Sequence, residues 1–272
     1  MTELIALKFA CIILFGIAAQ WLSWRIRIPS IIVLLGAGFI AGPVTGFIVP
    51  QELLGDLLFP VVSLLVSIIV FEGGMSLRFE DFKQSAKEIG NLIVIGSILT
   101  LGMIAMASYY VLELPLEIAV LFGSMMVITG PTVIVPLLRH VSLRRELASL
   151  LRWEGILIAP VGTILIVLVY QFYFSEAAHT TAIILTLIKT IGVGGALGIA
   201  GAFVVLFMMK NDWAPDYLQE VITLVLVLST YTASNLIQGG SGLVAVVGMG
   251  MLLSNQQQVV VRHIAVFKEN LR

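Results

Sequence analysis

Residues 128–138 read ITGPTVIVPLL, inside an apolar run extending over 116–138. A helix crossing a membrane here is poor at Thr129-Gly130-Pro131-Thr132, because proline lacks a backbone donor and glycine loosens the turn. Two readings stay open on these residues alone. One is a simple proline kink. The other is a discontinuous helix whose freed carbonyls and Thr129 hydroxyl coordinate an ion. Unwound backbone at membrane depth is tolerated only where it is buried in protein or lines a cavity, so the surrounding segments decide between them.

Those segments are built for a bilayer. Of 272 residues, 59% are hydrophobic and only 11% charged, against about a quarter charged in a soluble domain; mean hydropathy is +1.08. Spans of about 20 apolar residues are expected at roughly 4–23, 29–49, 52–76, 90–112, 116–138, 150–174, 180–209, 218–238 and 242–254. A tenth segment starts at HIAVFKENLR, residues 263–272. The fold expected is all-α and polytopic, with about nine transmembrane helices plus the start of a tenth. The N-terminal MTELIALKFACIILFGIAAQWLSW lacks a charged leader and a small-residue cleavage site, so it reads as a retained span. A net charge of -1 implies no nucleic-acid partner. The single Cys11 excludes a disulfide framework or a thiol metal cluster, and no cofactor is expected.

Loop charges set an orientation. Arg25 and Arg27 follow the first run, and Arg78, Lys83 and Lys87 the third. Arg139, Arg144, Arg145 and Arg152 follow the fifth, Lys210 the seventh, and Arg262, Lys268 and Arg272 the ninth. The intervening loops carry no lysine or arginine. The N-terminus is therefore expected outside, with each odd-to-even loop cytoplasmic. Trp153 at the inner edge of the sixth run, and Tyr170, Phe172, Tyr173 and Phe174 at its outer edge, fit aromatic belts.

Several polar residues are candidates for chemistry. Ala159 falls ~10 Å inward of Arg152, and Thr129 ~15 Å inward of Arg139, at 1.5 Å per helical residue. Antiparallel neighbours would bring both near one depth. Glu154 is shallower, and its plainer reading is a solvated acid at a helix start. Glu72, in the inner half of the third run before Gly73-Gly74, is a functional candidate as an intramembrane acid; Arg78 could instead simply pair with it. Lys189 can snorkel. Gly38/Gly42 and Gly194/Gly198 with Ala202 read as close helix packing, and His140 as an ordinary interfacial histidine.

An intramembrane serine protease is excluded. Gly239-Gly240-Ser241-Gly242 has a suggestive pattern, for which His263 could be offered as the base. The two lie at opposite ends of the ninth run, some 30 Å apart by helical rise, where nucleophile and base need about 3 Å. No HExxH, P-loop or GxGxxG is present.

FEGGM (71–75), TGPTVIVPLLRHV (129–141), LRWEGILIAPVG (151–162) and the terminal FKENLR (267–272) resemble bacterial monovalent cation:proton antiporters of the CPA1, or Na⁺/H⁺ exchanger, family. The closest subgroup pattern is the TGP / WEGILIDPIG type. The resemblance implies an inverted-repeat fold with crossed discontinuous helices, working as a homodimer in the cell inner membrane. It implies exchange of Na⁺ or K⁺ for H⁺ and a part in pH homeostasis. It also implies that Thr129 contacts the ion, that Glu72 stands near the ion site, and that Glu154 is the sixth-helix acid that pairs with an arginine on a later helix. Gly130, Pro131, Thr132 and Pro160 support the site, Pro160 being expected to open the sixth helix beside the ion, and no metal is expected beyond the transported cation.

The departures from that pattern are specific. Many members read TDP where this chain has Thr129-Gly130-Pro131. The subgroup's ion- and proton-binding aspartate is here Ala159, which can neither neutralise a cation nor release a proton. The chain is expected to hold a first six-helix repeat at 1–174, a linking helix at 180–209 and the start of a second repeat at 218–272, truncated at its C-terminus. The function expected is secondary active cation/proton exchange, with coupling compromised at Ala159. The alternative is a non-exchanging membrane sensor or an uncoupled cation pathway derived from an antiporter.

Overall fold

The computed structural model describes residues 2–130, 133–134, 137–138, 143–174, 180–211, 213 and 215–256. These are all-helical: α1 Thr2–Ile26, α2 Ser30–Phe39, α3 Pro50–Leu54, α4 Leu58–Met75, α5 Phe79–Val111, α6 Leu116–Met126, α7 Arg145–Phe174, α8 Thr180–Lys210, α9 Asp216–Ile237 and α10 Ser241–Asn255. A π turn, Ile40–Val44, continues α2, and a 3₁₀ turn, Gly55–Leu57, joins α3 to α4. Among the described residues, six helical stretches are long and apolar enough to cross a membrane. They are Ala6–Ile26, Pro50–Met75, Phe79–Val111, Arg145–Phe174, Ile183–Lys210 and Tyr217–Ile237, with shorter apolar helices at Ser30–Val44, Leu116–Met126 and Ser241–Asn255. Together they occupy the nine runs read from the sequence. The segment 263–272 lies outside the described residues.

The chain forms two compact units, one comprising residues 1–65 and 132–143 and the other residues 66–131 and 144–272. In the first, the short connection at 27–29 turns α2 back against α1. Gly38 does not mark close packing there: a Cβ at that position meets nothing within 4 Å.

The second unit carries the main core, which includes Val70, Leu77, Ile89, Trp153, Ile156, Val246, Met249 and Leu253. Lipid is as apolar as leucine, so association of such helices relies on close packing, which small residues permit. Gly194 and Gly198 of α8 meet the Ser241 and Ala245 carbonyls of α10, and Ala202 is buried one turn on. Gly123 of α6 meets the Leu101 carbonyl of α5, where an added Cβ would come to 2.7 Å. These are contacts of backbone on backbone, and no larger residue fits.

Three expectations change. Trp153 is not a belt residue; it is 2% exposed and packs its ring on Phe82 of α5, centroids 4.8 Å apart. At the other end of α7, Tyr170, Phe172 and Phe174 are exposed. The sixth span begins earlier than 150: α7 starts at Arg145 and runs 30 residues, ~45 Å at helical rise. The charged segment 79–88 is helical too, joined to the rest of α5 across a kink at Ser85 (φ -133°, ψ 25°).

Candidate functional site at the break after helix α6

Helix α6 stops at Met126, and residues 128–130 have no regular structure. Residues 133–134 and 137–138 are helical again. Among the described residues of the apolar run 116–138, the helix is therefore interrupted at Ile128-Thr129-Gly130. Pro131 and Thr132 lie outside the described residues. The local cause is chemical: a proline at 131 can donate to no carbonyl of the preceding turn.

The break lies against α7. The Thr129 hydroxyl donates to the Glu154 carboxylate at 3.0 Å. Ile128 fills the space at Gly162, where any Cβ would collide with its side chain. Residues 154 to 162 of α7 cover ~12 Å of helix axis, with Thr129 engaged at one end and Ile128 at the other. Ala159 lies between them, buried at 7% exposure. Gly162 is one of the positions the resemblance passed over; its signal was a small residue three places beyond Ala159, on the same helix face.

Glu154 is accordingly not a solvated acid at a helix start. It stands nine residues into α7, half-buried, and takes a hydroxyl donor from the broken helix. A carboxylate in such a place is stabilised by a donor aimed at it, and the same oxygens can meet a cation that loses its water.

Pro160 does not open the helix. α7 is continuous from Arg145 to Phe174 with Pro160 inside it. Proline still removes one donor, so the Ile156 carbonyl lacks its helical partner. One turn on, the Thr163 hydroxyl donates to the Ala159 carbonyl at 2.9 Å.

Glu72 approaches on α4. Gly73, beside it, packs on the Ile156 side chain, and Gly74 on the Val247 backbone of α10, where added Cβ atoms would come to 3.2 and 2.7 Å. The end of α4 is thus inserted between α7 and α10. The structure joins Thr129 and Glu154 directly, while the α4 segment bearing Glu72 comes against the stretch of α7 that carries Ala159.

A polar clasp, invisible to the motif reading, fixes the end of α4. Asn255, the last residue of α10, accepts the Phe79 N–H and donates to the Leu77 and Met251 carbonyls, each at 2.8 Å. Ser254 also donates to the Leu77 carbonyl, at 3.3 Å. The sequence signal was the Ser254-Asn255 pair closing an apolar run. Ser241, the protease candidate, is buried and structural: its hydroxyl donates to the Ser234 and Gln238 carbonyls at 2.8 and 2.7 Å. His263 and His140 lie outside the described residues.

Residues 10–265 match the family described as sodium/hydrogen exchanger, transmembrane. The K(+)/H(+) antiporter NhaP2 of Shewanella sp. (strain MR-4) is 24% identical over 243 residues, covering 86% of this chain and 41% of that protein. The K(+)/H(+) antiporter NhaP of Alkalimonas amylolytica is 23% identical over 262 residues, covering 93% of this chain and 44% of that one. The chain thus spans less than half the length of these relatives. The fold is similar to that of the sodium proton antiporter MjNhaP1 from Methanocaldococcus jannaschii at pH 8. That match has a TM-score of 0.80 at 20% identity, over 99% of this chain and 67% of that one.

Proposed function

The chain belongs to the sodium/hydrogen exchanger transmembrane family, and on that premise we propose that it is the membrane domain of a K⁺ or Na⁺/H⁺ antiporter whose coupling carboxylate is missing. The observation that carries this reading is the Thr129–Glu154 hydrogen bond at the break after α6. It sets an acid, a hydroxyl and unwound backbone at one point along a membrane-spanning helix, and these are the ligands that a dehydrated monovalent cation requires.

The roles follow from that arrangement. Thr129 offers its hydroxyl and carbonyl, and Gly130, Pro131 and Thr132 follow it as the residues that the resemblance assigns to the site's support. Glu154 supplies negative charge, and Glu72 adds a second acid from α4. Pro160 leaves the Ile156 carbonyl able to face the ion. Ala159 occupies the position where the resembling proteins carry an aspartate, and a methyl group binds no proton.

Cation entry is therefore retained in this reading and proton coupling is not. The proposed setting is the cell inner membrane, N-terminus outside, as a homodimer. The proposed organisation is a first repeat at 1–174, a link at 180–209 and a second repeat beginning at 218. The buried alanine also favours a second reading, an uncoupled cation pathway or a sensor. Vesicles containing the protein or its Ala159→Asp variant, loaded with a pH dye and offered labelled Rb⁺ or Na⁺, separate them. Proton movement only in the aspartate variant supports the first; labelled uptake without it, in both forms, supports the second.

A further inference from the structure

The turn of α7 after Pro160 is held from two sides. Ile128 fills the space at Gly162, and the connection between α9 and α10 lies on Thr163. A Cβ added at Gly240 would stand 3.8 Å from Thr163 Cγ2 and 3.9 Å from Val167 Cγ2. That connection is fixed by its own hydrogen bonds. Gly240 takes the left-handed conformation (φ 82°), and the Gly240 and Gly242 N–H groups both donate to Asn235 Oδ1, at 3.1 and 3.0 Å. The Ser241 N–H donates to the Gln238 carbonyl at 3.1 Å. Ser234 and Ser241 are fully buried beside them, their hydroxyls 2.6 Å apart.

A helical threonine has two rotamers open to it, because its hydroxyl can bond a carbonyl three or four residues back. With Gly240 against Cγ2, Thr163 takes the rotamer that turns Oγ1 onto the Ala159 carbonyl, at 2.9 Å. The same oxygen is the helical acceptor of the Thr163 N–H, so two donors converge on it. Such back-bonding bends a helix. On the same turn, the ring of Pro160 displaces the Ile156 carbonyl and offers it no donor. One carbonyl is doubly held and its neighbour is bare. Ile156 is 1% exposed, and a carbonyl so placed costs free energy unless something meets it.

We propose that Thr163 is a positioning residue for the cation: its hydroxyl fixes the open turn at Pro160, so that the Ile156 carbonyl stays turned towards the ion. The inference rests on the cation site proposed above. It adds a residue that acts from one turn further along α7, through the backbone, under the hold of the Asn235-clamped connection.

The test is thermal unfolding of the purified protein titrated with K⁺ or Na⁺, with choline keeping ionic strength constant. The half-saturating cation concentration is read apart from the unfolding temperature in choline alone. Thr163→Val keeps the shape and removes the hydroxyl. It is expected to raise the half-saturating concentration about fivefold, the effect of losing one neutral hydrogen bond. Thr163→Ser, which keeps the hydroxyl, is expected within about twofold of the parent. Thr163→Ala loses the same bond and gives the reading where the valine variant fails to fold. A lower unfolding temperature with an unchanged half-saturating concentration makes Thr163 a structural residue and overturns the proposal. A serine variant as weak as the valine one overturns it too. Thr129→Val separates this inference from the reading beneath it. Where Thr129→Val weakens binding and Thr163→Val does not, this inference fails alone; where K⁺ and Na⁺ stabilise the parent no more than choline, the cation site falls and this inference with it.

Discussion

The hydroxyl of Thr129 donates to the carboxylate of Glu154 at 3.0 Å, which ties the broken end of α6 to the tenth residue of α7. A hydrogen bond to a charged group contributes about 1.5–3 kcal/mol, and tenfold in affinity is about 1.4 kcal/mol. Thr129→Val is therefore expected to weaken cation binding about tenfold or more, while Thr129→Ser stays near the parent. Stabilisation of the purified protein by K⁺ or Na⁺, against choline at equal ionic strength, measures it. Equal stabilisation of the valine variant would remove Thr129 from the site.

Gly162 holds the break at its other end, because Ile128 occupies the space a side chain would need. Gly162→Val is expected to destabilise by about 1–3 kcal/mol, as overpacking does. Adding Ile128→Ala should restore part of that loss, since the two sites share one space. Thermal unfolding of the single and double variants is the check; strict additivity would refute the contact.

Trp153 and Tyr170 separate core from surface on one helix. Trp153 is 2% exposed and Tyr170 56%. Trp153→Ala is expected to cost about 3–5 kcal/mol, and Tyr170→Ala within about 0.5 kcal/mol. The half-life of the folded protein in mild detergent reads the contrast. Equal losses would return Trp153 to an interfacial role.

Asn255 closes the second unit by capping α5 from α10. Arg78, the N-cap residue of α5, offers no side-chain bond, and the Phe79 N–H goes to Asn255 instead. Asn255→Ala is expected to lose about 1–2 kcal/mol, as removal of a cap does. Hydrogen exchange at the Phe79 amide should speed up before exchange deeper in α5.

What was readable in the sequence follows from which forces are local. Spans are set by runs of apolar residues, so the nine helical stretches among the described residues were legible, whereas Thr129-Gly130-Pro131 marked a weak point in a helix and left a kink and a break both open. Trp153 was misread because its neighbours in sequence are polar, while its burial depends on Phe82, distant along the chain. Pro160 was misread for the opposite reason. Proline weakens a helix locally, but α7 runs on through it, with Ile156, Ile158 and Ile164 buried on either side. The Asn255 clasp joins residues over 170 positions apart, and no periodicity encodes such a pairing.

The central claim is that cation binding survives in this chain while proton coupling ends at Ala159. Proton movement driven by a K⁺ or Na⁺ pulse, read with a pH dye inside vesicles, tests it most directly. The parent protein is expected to give no cation-dependent signal above protein-free vesicles, and the Ala159→Asp variant a clear one that Thr129→Val abolishes. Robust cation-dependent proton movement by the parent, with alanine at 159, would contradict the account.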